Sequence, residues 1–586
     1  MAQLHGMTGG EGPLSYAHNS SYQRSVMDVV KPIIEEEITK KLDITQLSSN
    51  GLMDSLWIAD FGCSTGHNSF LAMQMITKAI ENRFQSETSM IDSPSPEFYV
   101  FFNDHVKNDF NTLFRSLPSE RHYQAAGLPG NFQERLLPKA SLHFAFSSWA
   151  LHWLSQVPKA VTDPNSPAWN KGKIGYVGAR QEVYDAYSNQ FAKDIESFLE
   201  ARAQELVSGG LMALLVPAYP KRFDCSNPFH KEQLVLQDRI GSILMDMAKK
   251  RAIMDVVKPM IEEEITMKLH ITQLSSNASF WISDFGCSTG LNSFLAMHII
   301  TKAIQNKFQS ETSMINSQSP EFYVLFNDHD KNDFNTLFRS LPPERHYQAV
   351  GLPGNFYKRL LPKASLHFAY SSWALHWLSQ VPKAVTDPNS PAWNKGKVGY
   401  VGARQEVYDA FSNQFAKDIE SFLEARAQEL VSGGLMALLV PAFPIKFDYS
   451  NPFLKEQIVQ HPLDSILMDM AKKGRLSEAK IDFFNFPMYF TFPEEMKMII
   501  ERNDSYSIER MEILDNPGKY AITSVCAHVS LLRAIFEELL ASHFGSDIID
   551  EVFDTYTQKL EVSPALLLPE NDKTIMIFVL LKRRVE

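Results

Sequence analysis

The chain predicts a duplicated α/β fold built on a parallel sheet. Three observations carry this. A strand, glycine turn and helix start, Trp57-Ile58-Ala59-Asp60-Phe61-Gly62-Cys63-Ser64-Thr65-Gly66-His67-Asn68, returns as Trp281-Ile282-Ser283-Asp284-Phe285-Gly286-Cys287-Ser288-Thr289-Gly290-Leu291-Asn292. The predicted strands are apolar along nearly their whole length, as strands covered on both faces must be. They alternate with helical segments, and the second half of the chain repeats the first.

The elements follow in order. Met27–Leu42 has helical period, with Val30, Ile33, Ile34, Ile38 and Leu42 on one face and Glu35, Glu36, Lys40 and Lys41 opposite. Leu56–Asp60 is the first strand, and Asn68–Phe84 the helix after its turn. Glu97–Asn103 is a second buried strand ending at Asp104. Gly127–Phe132 is a loop, and Ser141–Ser147 a strand leading into Ser148-Trp149-Ala150-Leu151-His152-Trp153. Ala160–Gly178, rich in Pro, Asn, Gly and Lys, predicts a long mobile loop. Gln181–Leu206 is a long helix stopped at Gly209-Gly210, and Leu211–Val216 is the next strand.

Met27–Lys250 aligns with Met254–Lys473 almost throughout, so residues 1–250 and 251–586 are expected to be two units. The duplication is ragged. Only the first copy has the head, Met7–Gln23, and only the second has the tail, Gly474–Glu586. The tail is mostly helical and closes with a strand, Thr574–Leu581, so the first copy's sheet is expected to have an incomplete edge.

Composition narrows the function. The net charge is −12 with no Lys/Arg block, which argues against a nucleic-acid partner. Four scattered cysteines, Cys63, Cys225, Cys287 and Cys526, give neither a disulfide framework nor a zinc pattern. The first 23 residues lack the apolar core of a signal peptide, and no run of about 20 apolar residues occurs, so a cytosolic protein without a membrane partner is expected.

The glycine turn is not GxGxxG and not GxxxxGK[ST], so neither the dinucleotide fingerprint nor the triphosphate-cradling loop is present. An acidic residue before Gly-x-x-x-Gly suits a ligand without phosphates. Asp104, matched by Asp328, ends the second strand, where a carboxylate can accept both ribose hydroxyls. S-adenosylmethionine fits, with its carboxylate near the helix start at Asn68 and its ammonium near Asp60. The plainer alternative is that Asp60 only caps the turn.

The segments Met7-Thr8-Gly9-Gly10-Glu11-Gly12, Ser15-Tyr16-Ala17-His18-Asn19-Ser20, Gln23, Asp-Phe-Gly-Cys-Ser-Thr-Gly-x-Asn, Phe102-Asn103-Asp104, Asn108-Asp109-Phe110-Asn111, Leu-Pro-Gly-Asn-Phe and Ser-Ser-Trp-Ala-Leu-His-Trp-Leu-Ser together resemble the plant SABATH methyltransferases. That resemblance implies a Rossmann-like class I methyltransferase sheet with an α-helical cap, here duplicated. It implies S-adenosylmethionine-dependent methylation of small-molecule carboxylic acids, or of xanthine ring nitrogens. Cofactor contacts would fall on Tyr16, Ser20, Asp60, Cys63, Asn68, Asp104, His105, Asn131 and Phe132, and on Asp284, Cys287, Asn292, Asp328, His329, Asn355 and Phe356. Asn131 and Asn355 stand where Ser is usual, and Thr8 where Lys is often found. The substrate carboxylate would be gripped by Gln23 with Trp153, or by Trp377 in the second copy. His152 and His376 occupy a specificity position, Trp149 and Trp373 replace a common Tyr, and Tyr489 and Phe578 resemble pocket-lining residues. A magnesium site described in some members would match Asn394, Asp482, Phe484 and Asn485, and Mg²⁺ does prefer oxygen ligands, although Asp-x-Phe-Asn is equally a turn.

A carboxylate is ionised at neutral pH, since its pKa is roughly 4, so no catalytic base is expected. Alignment and exclusion of water are the catalyst's tasks. Beside carboxyl methylation stand xanthine N-methylation and a catalytically impaired fused duplicate. A homodimer or an intrachain pseudo-dimer is a further expectation.

Overall fold

The computed structural model describes residues 9–10, 12, 15, 20–42, 55–87, 96–171, 176, 179–216, 247–269, 279–311, 320–445, 462–516, 519, 525–562, 568 and 572–585. The first repeat runs α1 (Ser21–Lys41), β1 (Ser55–Phe61), α2 (His67–Glu87), β2 (Glu97–Asp104), α3 (Phe110–Arg115), β3 (Tyr123–Pro129), β4 (Leu142–Ser148), α4 (Lys159–Thr162), α5 (Gln181–Glu205) and β5 (Leu206–Leu215). The second runs α6 (Met247–Lys268), β6 (Ser279–Phe285), α7 (Leu291–Glu311), β7 (Glu321–Asp328), α8 (Phe334–Arg339), β8 (Tyr347–Pro353), β9 (Leu366–Ser372), α9 (Gln405–Glu429) and β10 (Leu430–Ala442). It ends with α10 (Pro462–Lys472), and the tail adds α11 (Glu478–Asp482), α12 (Pro493–Glu501), β11 (Tyr506–Asp515), α13 (Val525–Phe544), α14 (Ile549–Val562) and β12 (Ile575–Arg583).

Two compact units form: Met1–Gly241 with Tyr323–Gly354, and Ser242–Phe322 with Asn355–Glu586. In the first, β3, β2, β1, β4 and β5 lie side by side and parallel. In β1 to β4 the apolar side chains are almost all buried, as in β2, where Phe98 to Asn103 are buried and only the ends reach solvent. That pattern places helices on both faces. Helix α1 packs through Met27, Ile34, Ile38 and Leu42, while Ile33 is 57% exposed. The sequence reading put Ile33 on the packed face. The core-facing stripe is narrower than that, because Met27 to Ile34 is already two turns.

Tyr323–Gly354 joins this unit through paired contacts of like residues. Gly127 pairs with Gly351 in antiparallel fashion. Phe110 meets Phe338 and Phe114 meets Phe334, each at 4.7 Å between ring centres. Asn111 donates to Asp333 at 2.7 Å, and Asn335 donates to Asp109 at 2.8 Å.

In the second unit, β6, β9 and β10 are parallel, and β10 receives β12 antiparallel, with β11 beyond. The tail and α10 bury one apolar cluster from α10, α11, α13 and α14, including Leu467, Leu540 and Val552. Val398 joins it, so the segment matching the predicted mobile loop is seated under the cap in this unit. The expected difference at the sheet edge is present. In the first unit β5 pairs with β4 alone among the described residues, and none of its residues is buried. In β10 every residue from Gly434 to Ala442 is buried.

Candidate functional site

The first glycine turn closes the carboxyl end of β1. Gly62 has φ 89°, and a Cβ there would lie 2.1 Å from that of Ala150, so the turn requires glycine twice over. The N–H groups of Gly62 and Cys63 both donate to the Asn103 carbonyl at 2.9 Å, which ties the turn to β2. Ser64 lies in the left-handed region at φ 53°. Its N–H donates to Asp104 Oδ2 at 2.7 Å, and its carbonyl accepts from Asn108 Nδ2 at 2.7 Å. The Phe70 N–H bonds back to Gly66 at 2.7 Å and starts α2. Ser69 was not singled out from sequence, and Asn108 was read only as part of the Asn108-Asp109-Phe110-Asn111 motif, with no role. Only the folded turn shows their partners.

Asp60 lies beneath this turn and is 2% exposed. Burial pushes its carboxyl up to about 7; Ser69 draws it down by a hydrogen bond, and the Asp104 charge raises it further. Burial likewise raises Asp104 to about 6, against hydrogen bonds from the Ser64 and His105 amides. Two carboxyls poised this way favour a cationic ligand, whose charge would restore their ionised forms. Burial pushes the Cys63 thiol well above its ordinary value, so it is not a thiolate nucleophile.

A small cleft opens above the turn, lined by Ser20, Cys63, Asn68, Phe146, Ser148 and Trp149 among others. Asn68 Nδ2 donates to the Ser20 carbonyl at 3.1 Å, so Ser20 of the head is fastened at the rim. Ser64 Oγ, Thr65 Oγ1, Asn68 Oδ1 and Asp60 Oδ2 are buried without a hydrogen-bond partner. Buried polar atoms are nearly always satisfied, so such a cluster around a cavity points to a polar ligand. S-adenosylmethionine, with ribose hydroxyls, an ammonium and a sulfonium, matches that set. Tyr16 lies outside the described residues, as does the side chain of Gln23 on α1.

Asn131 and Phe132 follow β3, and a buried ion pair from α5 holds their loop. Arg202 bonds Glu205 at 2.7 Å and donates to the Phe132 carbonyl at 2.7 Å, while its guanidinium lies 3.9 Å from the Phe61 ring centre. Glu205 in turn accepts from the Leu136 and Leu137 amides at 2.5 and 2.9 Å. Arg426 and Glu429 repeat this around Phe356, with the carbonyl bond at 2.6 Å. Sequence reasoning missed these positioning residues, because a charged pair three apart on a helix looks like a solvated face.

The second unit keeps the same turn: Gly286 has φ 89°, and Asp284 and Cys287 are buried. Asn355 Oδ1 accepts from the Tyr357 amide at 2.9 Å, and Asn292 lies in the first turn of α7. Asp328 and His329, at the end of β7, belong to the first unit, where the His329 amide bonds Asp328 at 2.8 Å. His105 repeats this at Asp104 with 2.7 Å.

The aromatic segment after β9 differs sharply from its twin after β4. His376 is 4% exposed and stacks on Phe490 at 5.5 Å, and the Trp373 ring meets it edge-on at 6.0 Å. Trp377 packs against Phe536 of the tail at 6.2 Å. The indole N–H of Trp373 is buried with no hydrogen-bond partner. In the first unit, His152 is exposed and Trp153 is 53% exposed. Tyr489 faces away from this pocket. It is fully buried, and its hydroxyl bonds Tyr408 at 2.8 Å and Glu495 at 3.1 Å. The neighbouring Phe490 faces His376 instead, because side chains alternate along this extended stretch. Phe578 is fully buried within β12, opposite Leu439 of β10.

The suggested magnesium ligands do come together, but not as a cation site. Asn394 Nδ2 donates to Asn485 Oδ1 at 2.7 Å and to the Gly399 carbonyl at 2.9 Å. Asp482 Oδ1 accepts from the Gly396 amide at 2.8 Å. Phe484 is buried in the tail cluster. The atom left without a partner is a donor, Asn485 Nδ2, which a cation would repel. The cluster clasps the 394–399 loop to the tail, and no chemical step is assigned to a metal.

Comparison with known proteins agrees with this geometry. The family profile described as SAM dependent carboxyl methyltransferase matches residues 2–255 and again 248–584. Loganic acid O-methyltransferase of Catharanthus roseus is 41% identical over 341 residues, covering 57% of this chain and 90% of that protein. Farnesoic acid carboxyl-O-methyltransferase of Arabidopsis thaliana is 38% identical over 311 residues, covering 53% and 87%. A solved structure of loganic acid methyltransferase with SAH superposes with a TM-score of 0.53 at 40% identity, covering 58% of this chain and 95% of that one.

Proposed function

The chain belongs to the SAM-dependent carboxyl methyltransferases, and from that premise we propose that its second unit makes methyl esters of small carboxylic acids. The observation that carries the assignment to the second unit is the buried, unpartnered indole N–H of Trp373 beside His376. A carboxylate oxygen is the natural acceptor for such a donor. In the reaction a carboxylate lone pair forms the new O–CH₃ bond while the S–CH₃ bond breaks, leaving the methyl ester and neutral S-adenosylhomocysteine. The acid arrives ionised, so no residue has to take a proton. Trp373, His376 and Trp377 orient the acid, and the tail excludes water from the S–CH₃ axis.

The first unit retains the cavity over the turn and the Ser20 rim, and we assign it cofactor binding with little turnover, since His152 and Trp153 are exposed. No helix among the described residues is long and apolar enough to cross a membrane, and soluble acid and cofactor are consistent with work in the cytosol.

The test is a panel of loganic, farnesoic and gibberellic acids with xanthines, incubated with the full chain and S-adenosylmethionine and analysed by mass spectrometry. Methyl ester is expected, and N-methylxanthine without ester would overturn the reading. Trp373→Phe should lower kcat/KM for the ester by about tenfold or more, the usual effect of losing a hydrogen bond to a charged group.

A further inference from the structure

We propose that Tyr357 is a positioning residue that fixes the Trp377 segment of the acid pocket and links it to the cofactor turn; this rests on the esterification reading above. Tyr357 is 8% exposed. Its hydroxyl donates to the Trp377 carbonyl at 2.5 Å, and the Leu375 carbonyl lies 3.5 Å away. The two residues after Trp377 are held as well. The Leu378 amide donates to the Pro487 carbonyl at 2.7 Å. The Ser379 amide and hydroxyl donate to Asp418 at 2.8 and 2.6 Å. Three consecutive residues are thus anchored by three different elements.

The other side of Tyr357 faces the cofactor turn through its neighbour. Its ring lies 4.7 Å from that of Phe356. Phe356 packs on the turn closely enough that a Cβ on Gly286 would lie 3.9 Å from its ring. The Arg426 guanidinium fixes the Phe356 carbonyl. One dipeptide therefore touches the cofactor side with one ring and the acid side with the next.

The first repeat is the natural control. It keeps the Asp194 clamp on Ser155, at 2.8 and 2.7 Å, but carries Gln133 where the second has Tyr357. There Trp153 is 53% exposed. The clamp alone does not seat the indole, and the residues the second unit adds are Tyr357 and the tail.

The experiment is Tyr357→Phe in the full chain, which removes only the hydroxyl. The acid of the panel with the highest turnover is the probe. Its KM should rise about fivefold with kcat within about twofold, as expected for one buried hydrogen bond that positions rather than reacts. S-adenosylhomocysteine affinity by calorimetry should not change. Hydrogen–deuterium exchange of the 375–379 segment should quicken, while that of β9 stays constant. Unchanged KM and unchanged exchange would overturn the proposal. So would a parallel loss of KM, kcat, cofactor-product affinity and melting temperature, the pattern of general destabilisation. If the wild-type chain esterifies none of the acids, the functional reading fails. Exchange at 375–379 then decides the positioning role alone, and unaltered protection rejects it.

Discussion

At the residue scale the most informative group is Asp60, because its surroundings give opposite pH signs to stability and to binding. Burial raises its carboxyl to about 7, whereas an unfolded chain releases that proton near pH 4. Between those values the native state holds a proton the unfolded state has lost. Without cofactor, stability therefore falls as pH rises from about 4 to about 7, by up to about 4 kcal/mol for this group. A cationic cofactor reverses the preference. S-adenosylmethionine should bind the first unit about tenfold more tightly at pH 8 than at pH 6, as measured by calorimetry. In Asp60→Asn that slope should flatten, and an undiminished slope would move the titrating group elsewhere. The turn was legible from sequence because Gly-x-x-x-Gly after an acidic strand end has few other uses. The groups that tune it were not, since Ser69, Asn108 and Arg202 act through partners about 6, 44 and 70 residues away.

At the element scale the two repeats form a comparison in which sequence is held nearly constant and cover is changed. Helices α5 and α9 differ at one position, Tyr187 against Phe411. Yet Tyr184, Phe191 and Leu199 are 50%, 36% and 40% exposed, and their twins Tyr408, Phe415 and Leu423 are 3%, 0% and 0% exposed. Burial here is decided by the tail, not by the helix's own pattern. Leu423→Ala should accordingly cost about 2–5 kcal/mol by opening a cavity. Leu199→Ala should cost well under about 1 kcal/mol, because little packing is lost. Differential scanning calorimetry of the two variants checks this, and equal losses would mean that α5 is covered as well as α9. Most strands and helices were readable from period and apolar run length, but residues 127–129, read as loop, are the end of β3, and Gly209-Gly210, read as a helix stop, lies inside β5, because small residues give no period of their own. The role of Tyr489 was not, because alternation along an extended stretch sends Phe490, not Tyr489, toward His376.

At the scale of the whole molecule, the proposed division of labour rests on two repeats that share a turn and differ in cover. Both repeats keep the buried acid and the left-handed glycines of the turn. Only the second has its His-Trp segment buried against a tail, through Phe490 and Phe536. Binding and turnover should therefore separate along the chain. Asp284→Asn removes the acid under the second turn and should abolish most ester formation. Asp60→Asn should leave most of it, while weakening one of the S-adenosylmethionine sites seen by calorimetry. The isosteric amides keep packing intact, so a loss of activity is not a loss of fold, and circular dichroism on both variants verifies this. Equal loss from either substitution would show that the sites act as one. Retention of activity in Asp284→Asn with loss in Asp60→Asn would place catalysis in the first unit and leave the tail without a part in the chemistry.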